Sequence, residues 1–122
     1  MGGTGGILEV ADVQIGRSIG AKSKNYNILL PNGEYTQLTE GTRITNIEVM
    51  AGDGRIRKID KIDHIVANYG GNPDKWQYMK GIGYVDYVGE SFKAELHWHQ
   101  EPTVGKHIWK LKPDIGGNWF ID

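Results

Sequence analysis

Glu95, His97 and His99 stand at alternate positions in the segment KAELHWHQ, residues 93–100. On an extended chain, side chains two residues apart share a face and sit about 7 Å from one another. A carboxylate and two imidazoles would therefore line one wall together with Lys93, while Ala94, Leu96 and Trp98 face the other way. Beyond a connection containing Pro102, Thr103 and Gly105 the alternation resumes, with His107, Trp109 and Leu111 on one side and Lys106, Lys110 and Lys112 on the other. Paired as a hairpin, the second segment adds three ammonium groups to the wall that carries the carboxylate and two imidazoles of the first. Cleavage of an RNA phosphodiester by its own 2′-hydroxyl needs a base for the hydroxyl proton, an acid for the leaving 5′-oxygen and cations around the phosphorane. Imidazole titrates near neutrality, so His97 with Glu95 as its partner suits the proton transfers, and the lysines suit the charge.

Other chemistries fit these residues less well. Glu95, His97 and His99 could hold a metal ion, but no further histidine or aspartate cluster lies at ligand spacing. The chain has no cysteine and no Gly-x-Ser-x-Gly elbow for a nucleophile. Gly81-Ile82-Gly83 lacks the lysine spacing of a phosphate-binding loop. On residue types alone, a polar sheet face with no chemical role is as good a reading as a catalytic one.

The elements that must position this wall are short and bounded by glycines, of which there are 18 in 122 residues. Asn27 to Leu30 and Tyr35 to Leu38 flank Pro31-Asn32-Gly33 and predict a hairpin, and Arg43 to Val49 predicts a third strand. Over 60–69 the period changes. Ile62, Ile65, Val66 and Tyr69 form one helical stripe, with Asp60 as expected N-cap, Gly70 as C-terminal stop and His64 solvated opposite. Asn72-Pro73 opens a second helical turn expected to run through Trp76 to Met79, which would leave Lys80 on a loop. Strands follow over 84–88, 93–100, 106–112 and 118–121, with a turn at Gly89-Glu90. The expected class is α+β, an antiparallel β-sheet with one or two short helices packed on it. Residues 1–15 read as a linker or lead-in, and residues 16–122 as a single domain.

Composition narrows the partners. A net charge of −1 argues against a broad positive field that coats duplex nucleic acid. A nucleic-acid site must be local, and three basic clusters could supply it. These are Arg17, Lys22 and Lys24; Arg55, Arg57, Lys58 and Lys61 among aspartates, most simply solvated surface charge; and Lys106, Lys110 and Lys112. No apolar run approaches the roughly 20 residues of a membrane span, and no secretory signal is present. The absence of cysteine leaves the fold indifferent to redox compartment.

Nine short motifs occur in a telling order: Ile19-Gly20-Ala21-Lys22, Glu40-Gly41-Thr42, Ala51-Gly52, Tyr69-Gly70-Gly71, Trp76-Gln77, Lys80-Gly81, Gly89-Glu90, Ala94-Glu95-Leu96-His97-Trp98 and Gly105-Lys106-His107. Over about residues 18–112 the chain thereby resembles the bacterial polymorphic toxin type 50 domain, whose members look like ribonuclease toxins of the barnase/EndoU/colicin/RelE group. The resemblance implies a ribonuclease-toxin-like fold and a metal-independent endoribonuclease, without cofactor, acting on tRNA. It further implies a cognate immunity protein as partner, and delivery as part of a secreted effector into the cytoplasm of a target bacterium. A host translation factor is a further candidate partner. The carried-over site positions are Lys80, His97 and Lys106; Glu95 and His99 join them from the strand pattern, although relatives more often carry an aromatic residue at the position of His99. Lys110, Lys112, Lys22 and Lys24 are the expected substrate-binding cations. Two other readings compete: a non-catalytic appendage, since members are also fused to phage head proteins, and a metal-dependent nuclease. The tail Gly116 to Asp122 carries no assigned role.

Overall fold

The computed structural model describes residues 26–122. Lys22, Lys24, Arg17 and the boundary expected near residue 15 lie outside the described residues. The fold is α+β: a six-stranded sheet with one short α-helix. The strands are β1 (Ile28–Leu29), β2 (Tyr35–Thr36), β3 (Thr45–Gly52), β4 (Gln77–Tyr87), β5 (Glu90–Glu101) and β6 (Gly105–Leu111), arranged β2-β1-β6-β5-β4-β3. The sheet is mixed rather than wholly antiparallel, because β1 runs parallel to β6.

The β4/β5 hairpin is the backbone of the domain. It pairs without interruption from Gln77 opposite Gln100 to Tyr87 opposite Glu90. Its two-residue turn, Val88-Gly89, has positive φ at both positions (49° and 78°), the twist that suits a tight hairpin. On one face Met79, Val85, Ala94, Leu96, Trp98, Trp109 and Leu111 meet Ile28 and Leu30 in the main core. Gly81 and Gly83 point to this same face. A methyl group on Gly81 would lie 2.6 Å from the Ile44 side chain and 3.0 Å from the Trp98 ring. Close approach of the Ile44 and Trp98 side chains at Gly81, and of Leu96 and Ile44 at Gly83, accounts for this Gly-Ile-Gly by packing in the core.

After β2 the chain crosses to β4. Leu38 bridges Val85, Thr39 N–H donates to Tyr84 O at 2.8 Å, and Asp86 N–H donates to Gln37 O at 3.0 Å. The sheet thus curls until the continuation of β2 meets the far end of β4, enclosing the main core. The opposite, outer face carries a second, smaller core. Here α1 (Ile62–Tyr69) sets Ile65, with Ile62 and Val66, against Ala51, Ile59 and Trp76.

Several local expectations change. Lys61, not Asp60, occupies the α1 N-cap, in a left-handed conformation without a side-chain cap bond; Gly70 ends the helix with φ 81° as expected. Asn72 does cap the next turn by accepting from Asp74 N–H, but that 3₁₀ turn is only Pro73–Lys75, and β4 starts at Gln77. Trp76, already extended, is drawn into the second core and its indole N–H donates to Gly70 O at 3.0 Å. Residues 118–121 do not form a strand. The tail turns at Asp114 to Asn118 and returns to β5 through Ile121 N–H donating to Lys93 O at 2.8 Å.

Candidate active site

Antiparallel pairing sets directly opposed residues on the same face of a sheet, so rows across the outer face can be read from the register. One row runs Glu48, Lys80, His97 and Lys110 over four adjacent strands. The next, toward α1, runs Ala51, Tyr78, His99 and His107. On the other side Ile82 opposes Glu95, and Lys112 N–H donates to Glu95 O at 2.9 Å. Alternation along β5 places Glu95, His97 and His99 together as the sequence predicts, with Ala94, Leu96 and Trp98 in the core.

The centre of the face is a hydrogen-bonded chain. His97 Nε2 lies 2.7 Å from Glu95 Oε2, and His97 Nδ1 lies 2.8 Å from the Tyr78 hydroxyl. A carboxylate only accepts, so Nε2 carries the ring hydrogen and Nδ1 accepts from Tyr78. Exposure differs sharply along the chain: the His97 side chain is 5% exposed and that of Glu95 is 39% exposed. Burial pushes the His97 imidazole below its ordinary range; the bond to Glu95 and its charge oppose this, and the ammonium groups of Lys110 and Lys112 add to it. Burial likewise pushes the Tyr78 hydroxyl up, against the lowering influence of Lys112 and Arg57. The resting chain is therefore a neutral tyrosine, a neutral imidazole and a carboxylate, and its solvent end is Glu95.

His99 stacks on Tyr78 with ring centroids 4.6 Å apart. Its Nδ1 is buried without a hydrogen-bond partner among the described residues, and burial, followed by the charges of Lys110 and His97, pushes the imidazole down to about 4. Its surroundings are those of an aromatic packing residue. His107 is also on this face, stacked on Tyr69 of α1 at 4.6 Å, although simple alternation groups it with Trp109 and Leu111.

The cause is a β-bulge. Between His97/Lys110 and His99/His107 the register shifts, and Ile108 takes φ 61°. One extra residue reverses the facing of everything before it on β6. Lys110 and Lys112 keep the expected face, but Lys106 now opposes Gln100, on the side of Trp98 rather than of His97. The shared wall expected for Lys106 and His97 is thereby corrected. Lys80 is corrected in the other direction: it is no loop residue but lies within β4 directly opposite His97, with Nζ 3.1 Å from Glu48 Oε1.

Two residues escaped the sequence reading. The helical turn expected through Trp76 to Met79 includes Tyr78, yet Tyr78, Lys80 and Ile82 alternate against Met79, Gly81 and Gly83, and that period of two is the signal of the strand. Glu101 is 4% exposed. Its carboxylate accepts from the backbone N–H groups of Asn72, Thr103 and Val104 and from the Thr103 hydroxyl. Burial pushes this carboxyl up, but those donors outweigh it and hold it below the ordinary range. Glu101 thus ties the β5/β6 turn to the loop after α1, and Gly71, with φ 82°, passes where a methyl group would lie 2.9 Å from it.

Among the described residues no group of three or more His, Cys, Asp or Glu side chains is gathered as a metal site. Glu95 and His97 are turned toward each other, and His99 toward Tyr78. Beside Glu95, a cavity of about 430 Å³ opens between β5 and the tail, lined also by Lys112 and Trp119. No helix among the described residues is long and apolar enough to cross a membrane. No protein-family model, curated protein or solved structure matches the chain.

Proposed function

We propose that this domain is an endoribonuclease that cleaves RNA through attack of the 2′-hydroxyl, without a metal ion. The observation that carries the reading is the chain from Tyr78 through His97 to the partly exposed carboxylate of Glu95, with Lys110 in the same cross-strand row. Because the His97 ring is buried with both nitrogens engaged, Glu95 is the group that meets the substrate. Its carboxylate takes the 2′-hydroxyl proton as the O2′–P bond forms. The P–O5′ bond then breaks, and the 5′-oxygen leaves with a proton from a neighbouring ammonium, for which Lys110 is the residue in place. His97 and Tyr78 are positioning residues. The His97 N–H fixes the carboxylate and supports the charge it carries between turnovers.

Lys110 and Lys80 supply cations for the phosphorane and the flanking phosphates, and Lys112 is a further substrate-binding cation beside Glu95. A local basic row of this kind suits a chain of net charge −1. The sequence resemblance extends the proposal to tRNA as substrate, to a bacterial effector delivered into a target cell, and to a cognate immunity protein that covers this face. The test is incubation of purified protein with total RNA, with and without EDTA, followed by analysis of the new ends. Products bearing 2′,3′-cyclic phosphate and 5′-hydroxyl, formed equally with EDTA, are expected. Ends bearing 5′-phosphate and 3′-hydroxyl, or loss of activity with EDTA, would overturn the reading.

A further inference from the structure

Glu95 faces two ways. It bonds His97, and it also lines the cavity of about 430 Å³ that the tail closes beside β5. The remaining walls include Lys112, Asp114, Asn118, Trp119 and Asp122.

This cavity is built, not left over between mobile pieces. Asp114 accepts from Asn118 N–H at 2.8 Å and from the Asn118 side-chain amide at 3.1 Å, which closes the turn. Phe120 stacks on Phe92 at 4.4 Å, and Trp119 is backed by Tyr87 at 5.5 Å. Ile121 N–H holds the returning chain to Lys93 O. Within this frame Asp114 is occupied by the turn, whereas the Asp122 carboxylate makes no side-chain hydrogen bond among the described residues.

We infer that the cavity between β5 and the tail is a nucleobase subsite and that it takes guanine. The inference rests on the endoribonuclease reading, because the proton that Glu95 removes belongs to the ribose whose base must lie beside it. That base is the one 5′ of the broken bond. Its phosphate cannot enter here, since Asp114 and Asp122 would repel it, and it is directed instead toward Lys110 and Lys80. An aromatic wall suits the flat face of a base. For the edge, a carboxylate offers two acceptors side by side, and guanine alone among the four bases presents two adjacent donors, N1–H and the 2-amino group. Its O6 is an acceptor for the ammonium of Lys112. Uracil carries one such donor, and adenine and cytosine set an acceptor beside theirs.

The test has two arms. Calorimetric titration of the protein with guanosine, adenosine, cytidine and uridine 3′-monophosphates reads the pocket without any cleavage. Single-turnover cleavage of oligodeoxynucleotides carrying one ribonucleotide reads the chemistry. We expect guanosine 3′-monophosphate to bind at least about tenfold tighter than the others, cleavage to be fastest after riboguanosine, and Asp122→Asn and Trp119→Phe each to erode the preference while the fold persists. Cleavage at all four ribonucleotides with no preference in binding overturns the pocket and leaves the nuclease standing. Binding of guanosine 3′-monophosphate without cleavage overturns the nuclease and leaves the pocket. Binding that favours guanine but is unchanged in both variants places the base elsewhere and also overturns the inference.

Discussion

Tyr78 donates its hydroxyl hydrogen to Nδ1 of His97 across 2.8 Å, so the imidazole turns its own N–H, on Nε2, toward Glu95. The contact depends on β4 and β5 pairing without a bulge, which lets Tyr78 reach diagonally from the position opposite His99. Tyr78→Phe keeps the stacking on His99 and removes only this donor. Activity should fall about tenfold, the weight of roughly one hydrogen bond in the reacting chain. With its acceptor nitrogen released, His97 becomes easier to protonate, so the acid limb of the pH–rate profile should move to higher pH. A profile unchanged in shape would show that Tyr78 does not tune the imidazole.

Glu95 and His97 should separate by their effect on stability. Glu95 is partly exposed, so Glu95→Gln should lower single-turnover cleavage by about 10²- to 10⁴-fold with little change in melting temperature. His97→Ala removes a buried ring and strands the Tyr78 hydroxyl, and should cost about 1–3 kcal/mol in stability as well as activity. Thermal melts beside single-turnover rates distinguish the two.

The register also sorts the lysines. Lys110 shares the row of His97, so Lys110→Ala should slow the chemical step even at saturating RNA, whereas Lys106→Ala, on the opposite side of the sheet, should leave it within about twofold. Glu48 holds Lys80 at 3.1 Å and competes with phosphate for it. Glu48→Gln should therefore tighten RNA binding and steepen its salt dependence by about 0.7 in the log–log slope, the value of one released counterion on a single strand. Titrations at several salt concentrations measure both effects.

His99 makes the domain acid-sensitive. Its folded imidazole is pushed down to about 4 from 6.5, so between those values the unfolded chain binds the proton that the folded one refuses. This part of the stability is complete above about pH 6.5 and is lost as pH falls toward 4. His97, shifted in the same direction, adds to the slope. His99→Phe keeps the ring on Tyr78 and removes the unpaired Nδ1. It should raise the melting temperature at pH 5 by more than at pH 7.5 and flatten the curve between them, leaving the residual slope due to His97.

Glu101→Gln should be among the more damaging single changes, because one buried carboxylate serves four donors from two loops. About 2 kcal/mol is the expected scale for bonds to a charged acceptor. In the wild type, the contribution of this carboxylate is present above its ordinary value of 4.5 and is lost as pH falls through its lower folded value. Chemical denaturation at pH 7 and pH 3 measures the difference, which should shrink in the variant.

The alternation of β5 was legible because its two faces differ in kind. Ala94, Leu96 and Trp98 are apolar, Glu95, His97 and His99 are polar, and a period of two admits one way to bury the first set. The hairpin at Asn32-Gly33, the stripe on α1 and the stop at Gly70 followed from equally local physics. What the tertiary structure alone decided is which strand residues oppose one another. The left-handed Ile108 inserts one residue into β6, and that single step exchanges Lys106 for His107 on the outer face. No periodicity announces it, because a bulge is chosen by the pairing of both strands at once. The same holds for Lys80 and Tyr78: Asn72-Pro73 does open a helical turn, but the second core draws Trp76 away and releases an extended β4 onto β5. Residue types thus determined the chemistry available to this face. The register between strands, a balance of contacts distant in sequence, determined which of those groups meet.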